Sequence, residues 1–186
     1  MKFILIFGPP AVGKMTVGHE IEKITGYKLL HDHMTSDLIS SLFEIDSSIY
    51  FRLNNIFRYE IFKEAAKSNL KGLIFTHPWA IDEKYDTEFI NNSVNIFEKE
   101  NIDVFYVELE ATVDERLKRN KSDFRLKIKP SKRDTAYSEA RLLEHDKKFR
   151  LNTHKNEFTR KNYLKINSTN MTAEETAQLI KETFKF

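Results

Sequence analysis

Residues 7–16 read FGPPAVGKMT, and no other stretch limits the fold of this chain so tightly. The apolar run KFILIF leads into it and a helix-like run leaves it, so a strand must turn directly into a helix. Three of the five glycines, Gly8, Gly13 and Gly18, fall here, where backbone has to approach something closely. A turn of this kind aims several N–H groups, and the positive end of the helix dipole, at one point where an anion sits well. Lys14 adds a cation at that point. The Gly-x-x-x-x-Gly-Lys frame is that of a phosphate-binding loop, but Met15 stands where a serine or threonine hydroxyl for Mg²⁺ is usual.

Five apolar, β-rich runs, KFILIF, YKLLH, GLIFTH, IDVFYVEL and NYLKIN, alternate with helical patterns over 14–24, 34–43, 48–68, 82–100, 112–120, 137–149 and 173–184. Such alternation predicts an α/β fold, a five-stranded parallel sheet with helices on both faces, and ligands outside the carboxyl ends of the strands. Thr172 and Glu175 have the spacing of a capping box, which starts the last helix. At 186 residues the chain is read as one domain, 1–186. The run KSDFRLKIKPSKRD, 121–134, is read as a mobile loop.

Thirty cations against 28 anions leave a net charge of +2, so no global field draws the chain to nucleic acid or membrane, and anion selectivity must be local. The absence of cysteine removes disulfides and thiolate metal sites. The apolar N-terminal run is too short for a membrane span and lacks the basic start of a signal peptide, which leads to the expectation of a cytoplasmic protein.

The segment GPPAVGKMT resembles the loop of the nucleoside monophosphate kinases, Gly-x-Pro-Gly-x-Gly-Lys-Gly-Thr, which also lacks a hydroxyl directly after the lysine. The resemblance implies that Gly8, Pro9, Pro10, Ala11, Val12, Gly13, Lys14, Met15 and Thr16 bind ATP. It assigns the Mg²⁺ hydroxyl to Thr16 and leaves Met15 as a packing residue. ATVDERLKRN is similar to the Arg-Leu-x-x-Arg helix of these small kinases, which implies Arg116 on adenine and Arg119 nearer the phosphates. The final strand and helix of the superfamily resemble LKINSTNMTAEETAQLI, which puts Ser168 to Met171 beside adenine.

From Lys118 to Arg133 eight cations face the single anion Asp123. In a phosphoryl-transfer enzyme such a segment is a lid, about 121–135, and on its closure Arg119, Arg125 and Arg133 meet developing charge. RDTAYSEA is similar to the shikimate kinase pattern Arg-x-Pro-Leu-Tyr-x-Glu-x-Ala, so Arg133 also takes the position that grips a substrate carboxylate, although the proline and leucine are missing. Shikimate and gluconate kinases place an Asp-x-Asp after the second strand. Here LLHDHMTSD keeps only Asp32, which is expected to support Mg²⁺ and to orient the acceptor hydroxyl. His33, Arg58, His77 and Trp79 are candidate acceptor-binding residues, Trp79 alternatively a core cap. A transition-metal site of His31, His33 and His77 is a further alternative.

These observations, with the resemblance to shikimate and gluconate kinases, lead to the expectation of an ATP- and Mg²⁺-dependent kinase acting on a hydroxyl or phosphate of a small-molecule acceptor, as a monomer or homodimer, with no membrane or nucleic-acid partner. The alternatives are a nucleoside monophosphate kinase, a nucleic-acid end kinase, and a nucleotide-binding ATPase or switch that transfers nothing.

Overall fold

In β1 (Lys2–Phe7), Phe3, Leu5 and Phe7 point to one face and Ile4 and Ile6 to the other, and all five are at most 1% exposed. That double burial is why the strand reads as a continuous apolar run and why helices must cover both of its faces. The computed structural model describes residues 1–45, 47–129 and 133–186. The elements that follow are α1 (Lys14–Thr25), β2 (Lys28–His31), α2 (His33–Ser40), α3 (Ser48–Lys67), β3 (Gly72–His77) and α4 (Lys84–Glu98). Next come β4 (Asp103–Glu110), α5 (Val113–Asn120), α6 (Asp123–Ile128), α7 (Thr135–Lys148), β5 (Tyr163–Asn167) and α8 (Ala173–Phe184).

The five strands are all parallel, in the order β2-β3-β1-β4-β5, so β1 lies at the centre with Phe7 paired to His77 on one side and Glu108 on the other. On one face an aromatic core joins the sheet to α3 and α4: Phe3 stacks on Phe97 at 3.9 Å, and Phe62 meets Phe75 edge-on at 5.0 Å. On the other face Ile4, Ile6, Ile74 and Val107 pack against Val17 and Ile21 of α1 and Ile180 of α8. Each such side chain contributes about 1.5–3 kcal/mol by leaving water. Glu108 is fully buried, and its carboxylate accepts from Thr153, Tyr163 and Asn152, which ties the segment after α7 to the sheet.

The five strands and seven helical patterns form where their periodicity places them, with ends shifted by a few residues. The capping box at Thr172 and Glu175 is made in both directions. One expectation changes. The run 121–134 holds a helix, α6, and not only loop; residues 130–132 of the proposed lid, with Lys132, lie outside the described residues. Asp123 in the first turn and Arg125 and Lys127 in the last suit the helix dipole, and Lys129 just beyond is only 8% exposed. The run is thus amphipathic through its arginine and lysine stems, which a count of charges does not reveal. Among the described residues no helix is long and apolar enough to cross a membrane.

Candidate active site

The turn from β1 to α1 needs the conformations that its glycines allow. Gly8 has φ 133°, and a Cβ there would lie 2.2 Å from the Leu109 carbonyl oxygen. Gly13 has φ 108°, and Ala11 takes φ 60° although it has a side chain, a strain of about 1–2 kcal/mol held by the surrounding loop. Ala11 fills the place where the small-kinase loop has its second glycine. The first amides of α1 have no intrahelical partner and face outward from this turn. Lys14 curls over the loop, its Nζ donating to the carbonyls of Gly8 at 2.6 Å and Pro9 at 2.8 Å. Burial, then the charge of Lys129, holds the Lys14 pKa well below the ordinary lysine value, with Arg125 and Arg116 acting the same way and Asp32 opposing. Met15 is 6% exposed, whereas Thr16 is half-buried at the wall of the cleft.

Asp32 leaves the end of β2 and begins α2, at the same carboxyl edge of the sheet as Lys14. Its Oδ1 accepts from Arg58 Nη2 at 2.8 Å, and the Arg58 Nε donates to Thr35 Oγ1 at 2.9 Å. His77, at the end of β3, brings its Nδ1 to 3.5 Å from the same Oδ1, within ion-pair distance but with no hydrogen bond formed by either ring nitrogen. Burial alone would raise the Asp32 pKa, but Arg58, His77 and His33 outweigh it and hold the carboxyl well below the usual range. Asp32 is therefore a fixed anion. Arg58 is 5% exposed, lines the cleft and is engaged by Asp32 and Thr35 through Nε and Nη2, so it positions Asp32.

Around this pair, His33 Nδ1 meets Asp37 Oδ1 at 2.9 Å. Burial lowers the His33 pKa and, with the nearby charge of Lys129, pushes that of His31 down to about 4. His31 Nδ1 is buried without a hydrogen-bond partner. Among the described residues no three His, Cys, Asp or Glu side chains group to hold a metal ion, so the His31, His33 and His77 alternative is not assembled.

Both arginines of α5 donate to carbonyls of the phosphate loop, Arg116 to Pro10 and Arg119 to Val12. Arg116 is 3% exposed, with both terminal nitrogens on the Asp146 carboxylate and Nη1 also 3.3 Å from the Pro10 carbonyl; it clamps α5 to α7 behind the loop and does not line the main cleft. Arg119 lies beside the segment expected near adenine. It donates to Ser168 O at 2.6 Å, Ser168 Oγ at 3.2 Å and Val12 O at 2.8 Å, and Glu115 holds its Nε at 2.8 Å. Ser168 is 2% exposed and also bonds the Glu110 carbonyl, so it joins the first loop to the last.

From α6 and its end, Arg125 and Lys129 face the cleft near Lys14. Burial lowers the Arg125 pKa to about 10, and its Nε is buried without a partner. Arg133 is exposed, its Nε donating to the Leu126 carbonyl at 3.3 Å, and it does not reach the cleft. Trp79 is also placed elsewhere. It is 5% exposed, packs on Phe7 and Phe158, and donates Nε1 to Thr87 Oγ1 at 3.0 Å, which makes it the core cap.

Together the loop, Asp32, His77, Arg119, Arg125 and Lys129 line one cleft of about 1130 Å³ at the carboxyl ends of the strands. The sequence reading missed Lys129 as an individual, because burial of one lysine in a basic run leaves no local mark. It also missed Asn54, on the inner side of α3, and Asp146, the partner of Arg116. The helical period gives Asn54 away: Asn54, Arg58, Phe62 and Ala65 are the buried residues of α3, at spacings of four and three.

No protein-family profile matches this chain, and no curated protein does. Solved structures do. The Mycobacterium tuberculosis APS kinase in complex with AMPPNP and APS has a TM-score of 0.62 at 15% identity, covering 100% of this chain and 98% of the other. Shikimate kinase from Acinetobacter baumannii, in complex with shikimate, has a TM-score of 0.55 at 20% identity, covering 100% and 93%. The Deinococcus radiodurans tunicamycin resistance protein has a TM-score of 0.57 at 15% identity, covering 98% and 95%. The chain has the α/β fold of the small P-loop kinases, and likeness at these identities is likeness of fold.

Proposed function

We propose that the protein is an ATP-dependent phosphotransferase acting on a hydroxyl of a small-molecule acceptor. The observation that carries this reading is the convergence on one cleft of the Lys14 loop, Arg125 and Lys129 with the ionised Asp32. The similar structures that hold AMPPNP, APS and shikimate support it.

The loop amides and Lys14 would take the β- and γ-phosphates, with the Lys14 Nζ leaving the Gly8 and Pro9 carbonyls for phosphate oxygens. Arg119 holds Val12 to Ser168, and so fixes the distance between the phosphate loop and the segment proposed to border the base. Thr16 and Asp32 offer the hard oxygen donors that suit Mg²⁺, an ion that needs few protein ligands beside phosphate and water, and one of these donors is held ionised. Bound there, Mg²⁺ would neutralise charge on the transferred phosphoryl group. Transfer through a loose transition state requires positioning more than a strong base, so a carboxylate of low pKa suffices to orient the acceptor hydroxyl and receive its proton late. Arg125 and Lys129 lie where a lid would neutralise the developing charge and exclude water.

The test is ADP release by the full chain with Mg-ATP and a panel of hydroxyl acceptors, with product phosphorylation followed by mass spectrometry. Acceptor-dependent ADP that disappears in Lys14→Ala is the expected result. ADP release unaffected by every acceptor would identify an ATPase that transfers nothing, and would overturn the reading.

A further inference from the structure

We propose that the acceptor end of the cleft takes a ring compound that brings hydroxyl or amine donors and no negative charge. This rests on the phosphotransferase reading above and narrows its substrate.

Charge gives the first reason. The walls contributed by the end of β2, by α2 and α3, and by the β3–α4 connection and first turn of α4 carry Asp32, Asp37, Glu83 and Asp86, against Arg58 alone. Arg58 is already bonded to Asp32 and Thr35, and Arg133, whose position would suit a carboxylate, lies outside. From α7 the cleft receives Arg141 and Lys148, with Glu144 between them. Lys14, Arg125 and Lys129 line the phosphate side of the same cleft, and Asp32 and Asp37 are bonded to Arg58 and His33. It is therefore at the α4 wall, where Glu83 and Asp86 stand, that a carboxylate or phosphate would meet like charge.

Hydrogen bonding gives the second. Asn54 is 3% exposed and lines the cleft; its Nδ2 donates to the Tyr50 carbonyl at 3.0 Å, which assigns the amide orientation, and its Oδ1 has no partner. A buried amide oxygen left unpaired is costly, and only a donor satisfies it. A hydroxyl or amine does so, whereas an ionised carboxylate or phosphate has no hydrogen to give. His77 Nε2, on the same wall in a ring 8% exposed, is likewise unpartnered. Phe51 and Tyr85, 39% and 49% exposed, meet edge-on at 5.8 Å on the rim, a surface suited to the face of a ring.

The experiment uses matched pairs that differ by an anion: a nucleoside against its 5′-monophosphate and glucose against gluconate, with an aminoglycoside and shikimate added. AMPPNP binding, by thermal shift, is measured first. We expect a non-anionic member to be phosphorylated with kcat/KM on the order of a hundredfold or more above its anionic counterpart. Asn54→Ala should then raise the acceptor KM about tenfold with the ATP KM unchanged, since one hydrogen bond in a closed site is lost. Should that variant fold poorly, Glu83→Lys, at an exposed position, should improve turnover of the anionic member relative to the neutral one. AMPPNP binding together with transfer only to anionic members, or to none of the panel, overturns this proposal and leaves nucleotide binding standing. Absence of AMPPNP binding overturns the phosphotransferase reading and this proposal with it.

Discussion

Arg58 donates to Asp32 at 2.8 Å from a guanidinium that is 5% exposed, so the one carboxylate retained after β2 is anchored by a residue 26 positions along the chain. Replacing Arg58 by Met should destabilise the fold by about 3 kcal/mol, the low end for breaking a buried pair, because Asp32 keeps some solvent contact. Urea unfolding measures this. A midpoint within error of the wild type would show that Asp32 does not depend on Arg58.

Asp32→Asn keeps the shape and removes the charge. Transfer should fall on the order of a hundredfold or more while ATP still binds through the first loop. Binding and turnover are measured separately. An active Asn variant, with His77→Gln silent, would move the acceptor-orienting role to the histidine.

Lys14→Ala removes a cation that burial and Lys129 already disfavour in its charged form, so the thermal midpoint should stay the same or rise. ATP binding and transfer should both collapse. A variant that unfolds would mean that the lysine serves the loop's structure through Gly8 and Pro9 and not only a ligand.

Within the lid, Arg125→Ala should lower kcat more than it raises the ATP KM, whereas Arg133→Ala should change neither by more than about twofold, because Arg133 is exposed and donates to the Leu126 carbonyl outside the cleft. Steady-state kinetics of the two variants side by side decide this. Equal losses would place Arg133 in the cleft during turnover.

Acid should loosen the fold before it protonates the carboxylates. His31 has its pKa lowered from 6.5 to about 4 by burial, so between those values the unfolded chain binds a proton that the folded chain does not. Stability is therefore full above pH 6.5 and falls as pH drops towards 4, by at most about 3 kcal/mol from this group, and His33 and His145 act with the same sign. His31→Gln should flatten the pH dependence of the urea midpoint in that window; an unchanged slope would assign it to the other histidines.

The strands, most of the helices, the capping box at Thr172 and the turn around Gly8 and Gly13 were legible in the chain, because each depends on neighbours a few residues away and on conformations few residues adopt. Loop position in turn set Lys14 and Thr16 after β1 and Asp32 after β2 at the same edge of the sheet, since parallel strands, here with β3 between the two, bring their carboxyl ends together. Other roles depended on packing between distant elements. Arg116 was drawn to Asp146, 30 positions away, and Trp79 turned to Thr87 and Phe158. Lys129 is buried, whereas Arg133, beyond the same short helix, remains exposed. Long side chains reach in several directions at little local cost, so their partners are chosen only when the layers have closed and buried charge must be matched.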